Sequence, residues 1–405
     1  MSPGWRKLVT VSLPALAVAI AATAAALEVW VRLRWEPRKG TPGFFLSDAV
    51  RGQRLTPNYT GWFAGVPVHI NRLGLRDPRE YDLAKRENTF RILVLGDSVT
   101  FGHGSVYEHT YPYLVEQRLK AWRRDVDWQV WNAAVPGYNT SQELAHLEQV
   151  GPEFAPDLVV VGFYENDLIG NSAVEPADRA RVVVANLLSA AQRHVYSLEL
   201  YKKVYLQLAW KLSASDDFRR RFEQVGNEES LIASVHDATT LDQQALTPYE
   251  RLTDEQVRQV NCRYGMKPNP QVVDHLRRDP GFQPWVDAVN GFQRLQGEGK
   301  YRVVFFLNVI PPVCPDGDVF YDGGTDAINA LYLKIVSDGA PAVSCYDAFR
   351  HMRPSQMPLA AAHAIGNSND VKADVLFKFL RDRVLPPIVP IAAAGPAAPA
   401  VPAAR

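Results

Sequence analysis

The stretch Phe90–Gly104, FRILVLGDSVTFGHG, ends an apolar run on Gly96, Asp97 and Ser98. A hydroxyl placed where a buried strand meets a glycine-rich turn suits either a phosphate cradle or a nucleophilic serine. The cradle fits poorly, because a P-loop needs G-x-x-x-x-G-K-[ST] and GDSVTFGHG contains no lysine. Asp97 would also repel a phosphate. The nucleophile-elbow pattern G-x-S-x-G is absent too, since Thr100 stands in the last glycine's place. A nucleophilic serine needs a base to take its proton, and the chain has 9 histidines. His363, in HAIGNSNDVKADVLFKFL, stands just before the last amphipathic segment, where a loop can face the first strand. His351 in FRHMRP and His103, five residues past Ser98, are the rivals.

Elements that would position these groups follow from the periodicity. RILVLGDS reads as a parallel strand buried on both faces, and TYPYLVEQRLKAWRR as a helix with Tyr111, Leu114, Val115, Leu119 and Trp122 on one face. WQVWNAAVPGYNT gives a second strand and a loop, SQELAHLEQVGPEF a helix and PDLVVVGFYEND a third strand. After an interruption, PWVDAVNGFQRLQGEGK reads as a helix, YRVVFFLNVIPP as a fourth strand and APAVSCYDAF as a weak fifth. NDVKADVLFKFLRDRVL closes the pattern as a helix with a stripe of Val371, Val375, Leu376, Phe379 and Leu380. Such alternation predicts right-handed βαβ units and a doubly wound α/β sheet. Ligands of such sheets sit beyond the carboxyl ends of the strands. Those ends offer Asp97-Ser98, then Gly137 and Asn139, then Glu165-Asn166-Asp167, and finally NVIPPVC. A serine, a loop glycine and an asparagine at one rim are what acyl transfer needs.

The remaining chain frames this core. The 405 residues balance 44 basic against 44 acidic side chains, which supplies no global field for nucleic acid. Cys262, Cys314 and Cys345 lack metal-ligand spacing, and no cofactor motif is read; Cys314 and Cys345 are either two buried thiols or one bridge. Leu8 to Leu27 carries no charge over about twenty residues, enough to cross a bilayer. Its small-residue end, AATAAA, also suits a cleaved signal peptide, but the run exceeds a typical signal core, so a retained anchor is the expectation. Trp30 and Trp35 suit the interface, whereas Arg32, Arg34, Arg38 and Lys39 tilt the positive-inside count against export. The expected organisation is an anchor at 1–34, a stalk and lead-in packed on the core at 35–88, and core parts at 89–170 and 285–387. A helical insertion fills 171–284, and a Pro/Ala tail with disordered composition fills 388–405. Within the mostly helical insertion, NLLSAAQRHVYSLELYKKVYLQLAWKL is the longest periodic segment, with Tyr196, Tyr201, Tyr205 and Trp210 packing a cap or offering a sugar-stacking surface.

LGDSVTFG, NAAVPGYNT, FYEND and a histidine before a closing helix together resemble the four blocks of the SGNH, or GDSL-type, hydrolases. LTPNYTGWF and VHINRLGLRD resemble the lead-in of membrane-anchored bacterial members. The resemblance spans about residues 60–170 and 300–385 and implies a three-layer α/β/α, flavodoxin-like sheet of about five strands. It implies Ser98 as nucleophile, His363 as base, and Ser98 N–H, Gly137 N–H and the Asn166 side chain as oxyanion donors. An acylated small molecule or polysaccharide would be the substrate, with the catalytic domain on the extracytoplasmic side of the membrane. Val99 stands where leucine is commoner, and Ile365 replaces an asparagine. A larger departure is Ala360, where the family places the aspartate that orients its histidine. The chain then uses a Ser-His dyad, takes an acid from Glu165, Asp167, Asp322 or Asp347, or is a weak or inactive scaffold.

Overall fold

The computed structural model describes residues 4, 8–35, 40–168, 179–212, 272–308, 323–350, 359–360 and 363–389. His351, Asp322, Cys262, Cys314 and residues 390–405 of the Pro/Ala tail lie outside the described residues; Ile388 and Val389 at its start pack on the core. A π-helical turn at Leu8–Ser12 opens into α1 (Leu13–Arg34). The span Thr10–Arg34 is long and apolar enough to cross a membrane, and its most apolar window is not buried.

Residues that follow α1 fold as two hairpins. β1 (Phe45–Asp48) pairs antiparallel with β2 (Gly52–Leu55), and β3 (Tyr59–Phe63) pairs with β4 (Val66–Ile70). The core begins with β5 (Thr89–Gly96), the one-turn helix α2 (Ser98–Phe101), α3 (Tyr111–Trp122) and β6 (Asp127–Asn132). It continues with α4 (Thr140–Phe154) and β7 (Leu158–Phe163). The insertion contributes α5 (Arg179–His194), α6 (Ser197–Leu212) and α7 (Val272–Arg278). The core then resumes with α8 (Phe282–Gly297), β8 (Val303–Leu307), α9 (Gly323–Val336), β9 (Ala342–Ser344) and α10 (Tyr346–Arg350). β10 (Leu359–Ala360), β11 (His363–Ala364) and α11 (Asn367–Phe379) close the domain.

The five core strands form one parallel sheet in the order β6-β5-β7-β8-β9. Strand order reverses beside β5, so a crevice opens where β5 and β7 end. Alternate strand residues feed two cores. Leu93, Leu95, Val161 and Phe305 face Leu147 of α4, Trp285 and Phe292 of α8 and Tyr332 of α9. Ile92, Val94, Val160 and Phe306 face Val115 and Leu119 of α3 and Ala373 and Leu376 of α11. Helices on both faces explain why the strands are continuously apolar.

The structure adds detail that periodicity did not give. The longest periodic segment of the insertion is two helices, broken between His194 and Ser197. The expected stripe packs inward, with Leu376 and Leu380 buried and Val371, Val375 and Phe379 half-buried against the same cluster; Ser368, Asn369, Lys372 and Ala373 of α11 are buried as well. And α9, which was not anticipated, supplies the crossover that parallel β8 and β9 require.

Candidate active site

Ser98 follows β5 at the sheet's reversal point and is 8% exposed. Asp97 caps the turn, its Oδ1 accepting from Val99 N–H at 2.8 Å. The Ser98 carbonyl accepts from Gly102 N–H at 3.0 Å and His103 N–H at 2.9 Å, so the glycine-rich turn folds back over the serine. Beneath this turn lies Arg76, buried and donating to the carbonyls of Phe101, Gly102 and Ser105. Its guanidinium also stacks 4.3 Å from the Phe101 ring. RLGLRD therefore holds the turn that carries Ser98, a role that the motif alone did not reveal.

The other rim elements converge on the same place. Val135 N–H donates to Gly96 O at 2.9 Å and stitches the loop after β6 to the residue two before Ser98. Gly137 sits in that loop at φ 81°, a left-handed conformation that favours glycine. Gln53 of the first hairpin braces it, donating to Pro136 O at 2.8 Å. Asn139 closes a capping box with Gln142 at the start of α4. Asn166 lies in the 3₁₀ turn Glu165–Leu168 after β7, and its side chain is a hydrogen-bonding neighbour of the Asp97 carboxyl.

His363 meets Ser98 across 265 residues of sequence, with Nε2 2.7 Å from Oγ. Three features aim the ring. Within the β10–β11 ladder, His363 pairs with Ala360. Ile365 is fully buried in the cluster that contains Phe101. Finally, α11 is tied down by Asn369 Nδ2 donating to Ser105 Oγ at 3.0 Å and by Arg118 pairing with Asp370 at 2.7 Å.

His103 stacks on His363, with ring centroids 4.2 Å apart and planes 22° from parallel. Phe63 from the second hairpin meets His103 edge-on at 5.2 Å. Burial, then the neighbouring His363 and Arg76, hold the His103 imidazole well below its ordinary range, so it is neutral near pH 7. His103 is thus a wall of the site, placed against His363.

Of the candidate orienting acids, Asp347 is exposed on α10. Asp167 is buried, its Oδ2 accepting from Thr140 Oγ1 at 3.2 Å and from Tyr164 N–H at 3.3 Å. Burial raises the Glu165 carboxyl to about 7. Burial also raises Asp97, and it raises Glu143 and Asp167 well above the ordinary range, with their mutual repulsion adding to the effect on Glu143 and Asp167. Lys372 is pulled down to about 8 by burial, against the opposing pull of Cys345 and Asp97. Burial therefore makes each of these carboxyls hold its proton to a higher pH than it would in water.

The sheet order, with Ser98 at its reversal point and His363 Nε2 2.7 Å from the serine Oγ, defines a doubly wound α/β protein with a Ser-His pair at the crevice. The chain belongs to the GDSL-like lipase/acylhydrolase family, whose model matches residues 94–365. An arylesterase from Vibrio mimicus is 35% identical over 77 residues, which is 19% of this chain; the match spans 38% of that relative's length. Among solved structures, the lipase Lip_vut3 from a goat rumen metagenome is similar at 13% identity and a TM-score of 0.36, covering 71% of this chain and 95% of that one. A mutant acetyl-xylooligosaccharide esterase from Geobacillus is similar at 12% identity and a TM-score of 0.33, covering 72% and 93%.

Proposed function

We propose that this protein is a serine esterase. The 2.7 Å approach of His363 Nε2 to Ser98 Oγ carries the reading. Ser98 Oγ attacks the ester carbonyl as His363 takes its proton. The N–H groups of Ser98 and Gly137 and the Asn166 side chain stabilise the oxyanion. Collapse expels the alcohol, which takes the proton from His363 and leaves an acyl-Ser98 ester. Water, deprotonated by the same imidazole, then releases the carboxylic acid and regenerates Ser98. A sugar hydroxyl in place of water makes the same site an acyltransferase.

The substrate class we propose is an O-acyl ester, with acetyl on envelope or exported polysaccharide as the specific case. The apolar helix at the N-terminus, long enough to cross a bilayer, supports it; in our reading that helix is a retained anchor and the catalytic domain lies on the outer face, beside such polymers. The test is turnover of aryl acetate and of acetylated oligosaccharide by the full chain. Loss of both in Ser98→Ala supports the reading, and undiminished turnover in that variant refutes it. No turnover by the intact protein would favour the scaffold reading that Ala360 raises.

A further inference from the structure

Helix α5 is amphipathic in the unusual sense. Its polar side docks on the protein: Asn186 accepts from Ser47 N–H at 2.7 Å and donates to Ser47 O at 3.1 Å, and Ser189 donates to Phe45 O at 3.1 Å. Its other side exposes Val183, Val184, Leu187 and Leu188, with Leu187 66% exposed. A helix against an aqueous surface has the opposite arrangement. α6 repeats the feature, exposing Tyr201, Val204, Tyr205 and Leu208 at the spacing of one helix face, with Tyr205 70% exposed.

The corner between these helices is bolted to the end of α1. The Glu28 carboxylate accepts from the N–H groups of Tyr196 and Ser197, at 2.9 and 2.8 Å, and so caps α6. Arg32 pairs with Glu28 at 2.7 Å, donates to His194 O at 2.6 Å and lies 4.5 Å over the Tyr196 ring. Trp35 meets the same ring at 5.1 Å. Only the last two turns of α1 take part, since residues 8–26 are exposed wherever their side chains are described. The corner thus sits where the apolar helix reaches its first charged side chains, the level of the lipid headgroups.

We propose that α5 and α6 lie in the membrane–water interface, with their apolar faces against lipid. The occupant is a bilayer with anionic headgroups, because the exposed apolar faces continue the bare apolar surface of α1. Charge points the same way: residues 179–212 carry Arg179, Arg181, Arg193, Lys202, Lys203 and Lys211 against one acid, Glu199. The inference rests on the membrane-tethered reading above and adds a second, in-plane contact. It fixes how the catalytic domain is seated on the bilayer, where a single α1 tether would leave it free to turn.

The test uses the full chain with Cys262→Ser and Cys314→Ser, reconstituted in phosphatidylethanolamine/phosphatidylglycerol vesicles. An environment-sensitive fluorophore is attached at Leu187→Cys, Val184→Cys or Tyr205→Cys, with Glu148→Cys on α4 as an aqueous control. Nitroxide-labelled lipid should remove most of the emission at 184, 187 and 205 and little at 148, while aqueous iodide does the reverse. Vesicle flotation after alkaline extraction reads the tether separately. A chain that fails to float overturns the tether and this inference together. A chain that floats with 184, 187 and 205 quenched by iodide overturns the in-plane contact alone. Sites shielded from both quenchers overturn it too, since protein then covers the faces.

Discussion

Replacing His103 separates support of the base from proton transfer. Its ring lies 4.2 Å from that of His363 and is held from behind by Phe63. An aromatic pair of this kind contributes about 0.5–1.5 kcal/mol beyond burial. If that energy holds His363 in its productive rotamer, His103→Ala should lower kcat by about 2- to 10-fold. KM should change little, because the ring acts through His363. His103→Phe keeps both the stack and the edge contact and should stay within about twofold of wild type. Since burial keeps His103 neutral near pH 7, neither variant should move the acid limb of the pH–rate profile. The assay is steady-state aryl acetate hydrolysis over about pH 5–9, with thermal unfolding as a control for folding. Unchanged turnover in His103→Ala would refute the support role. A loss in His103→Phe as large as in His103→Ala, with a shifted acid limb, would mean that the His103 nitrogens take part in proton transfer.

Arg76→Lys should lower kcat about tenfold or more while preserving the fold, because an ammonium cannot span three carbonyls as the guanidinium does. Circular dichroism with steady-state kinetics checks it, and wild-type turnover would remove Arg76 from the positioning of Ser98. Glu165 predicts a pH effect on stability: burial raises its folded pKa to about 7, so the folded state holds its proton longer than the unfolded chain does. The associated stability is present below about pH 4 and is lost as pH rises through about 7, by roughly 1–3 kcal/mol. Glu165→Gln should flatten this fall in urea unfolding at about pH 5 and pH 8, and an unchanged slope would contradict the burial argument.

The sheet was legible because each strand buried on both faces leaves an unbroken apolar run, as in RILVLG and LVVVGF. That Ser98, Gly137 and Asn166 sit at one rim of the sheet was legible, because each follows the carboxyl end of a strand. Long-range partners were not. Nothing local in VHINRLGLRD says that Arg76 clamps the turn after Ser98, and His103 reads as a loop histidine until His363 is laid over it. Hydrophobic periodicity found the apolar stripe of α11 but not the polar residues beside it, because Asn369 and Lys372 also turn inward, Asn369 toward Ser105. It did not locate the break between α5 and α6, which lies against Glu28 and Arg32, more than 160 residues away in sequence.

The central claim is that Ser98 is the nucleophile and His363 its base. Labelling of the full chain with a fluorophosphonate, read by peptide mass spectrometry, tests it most directly. The phosphonate should be found on Ser98 in the intact protein, and the labelling rate should fall by about 10³-fold or more in His363→Ala. Labelling at another residue, or an unchanged rate on Ser98 in His363→Ala, would contradict the account.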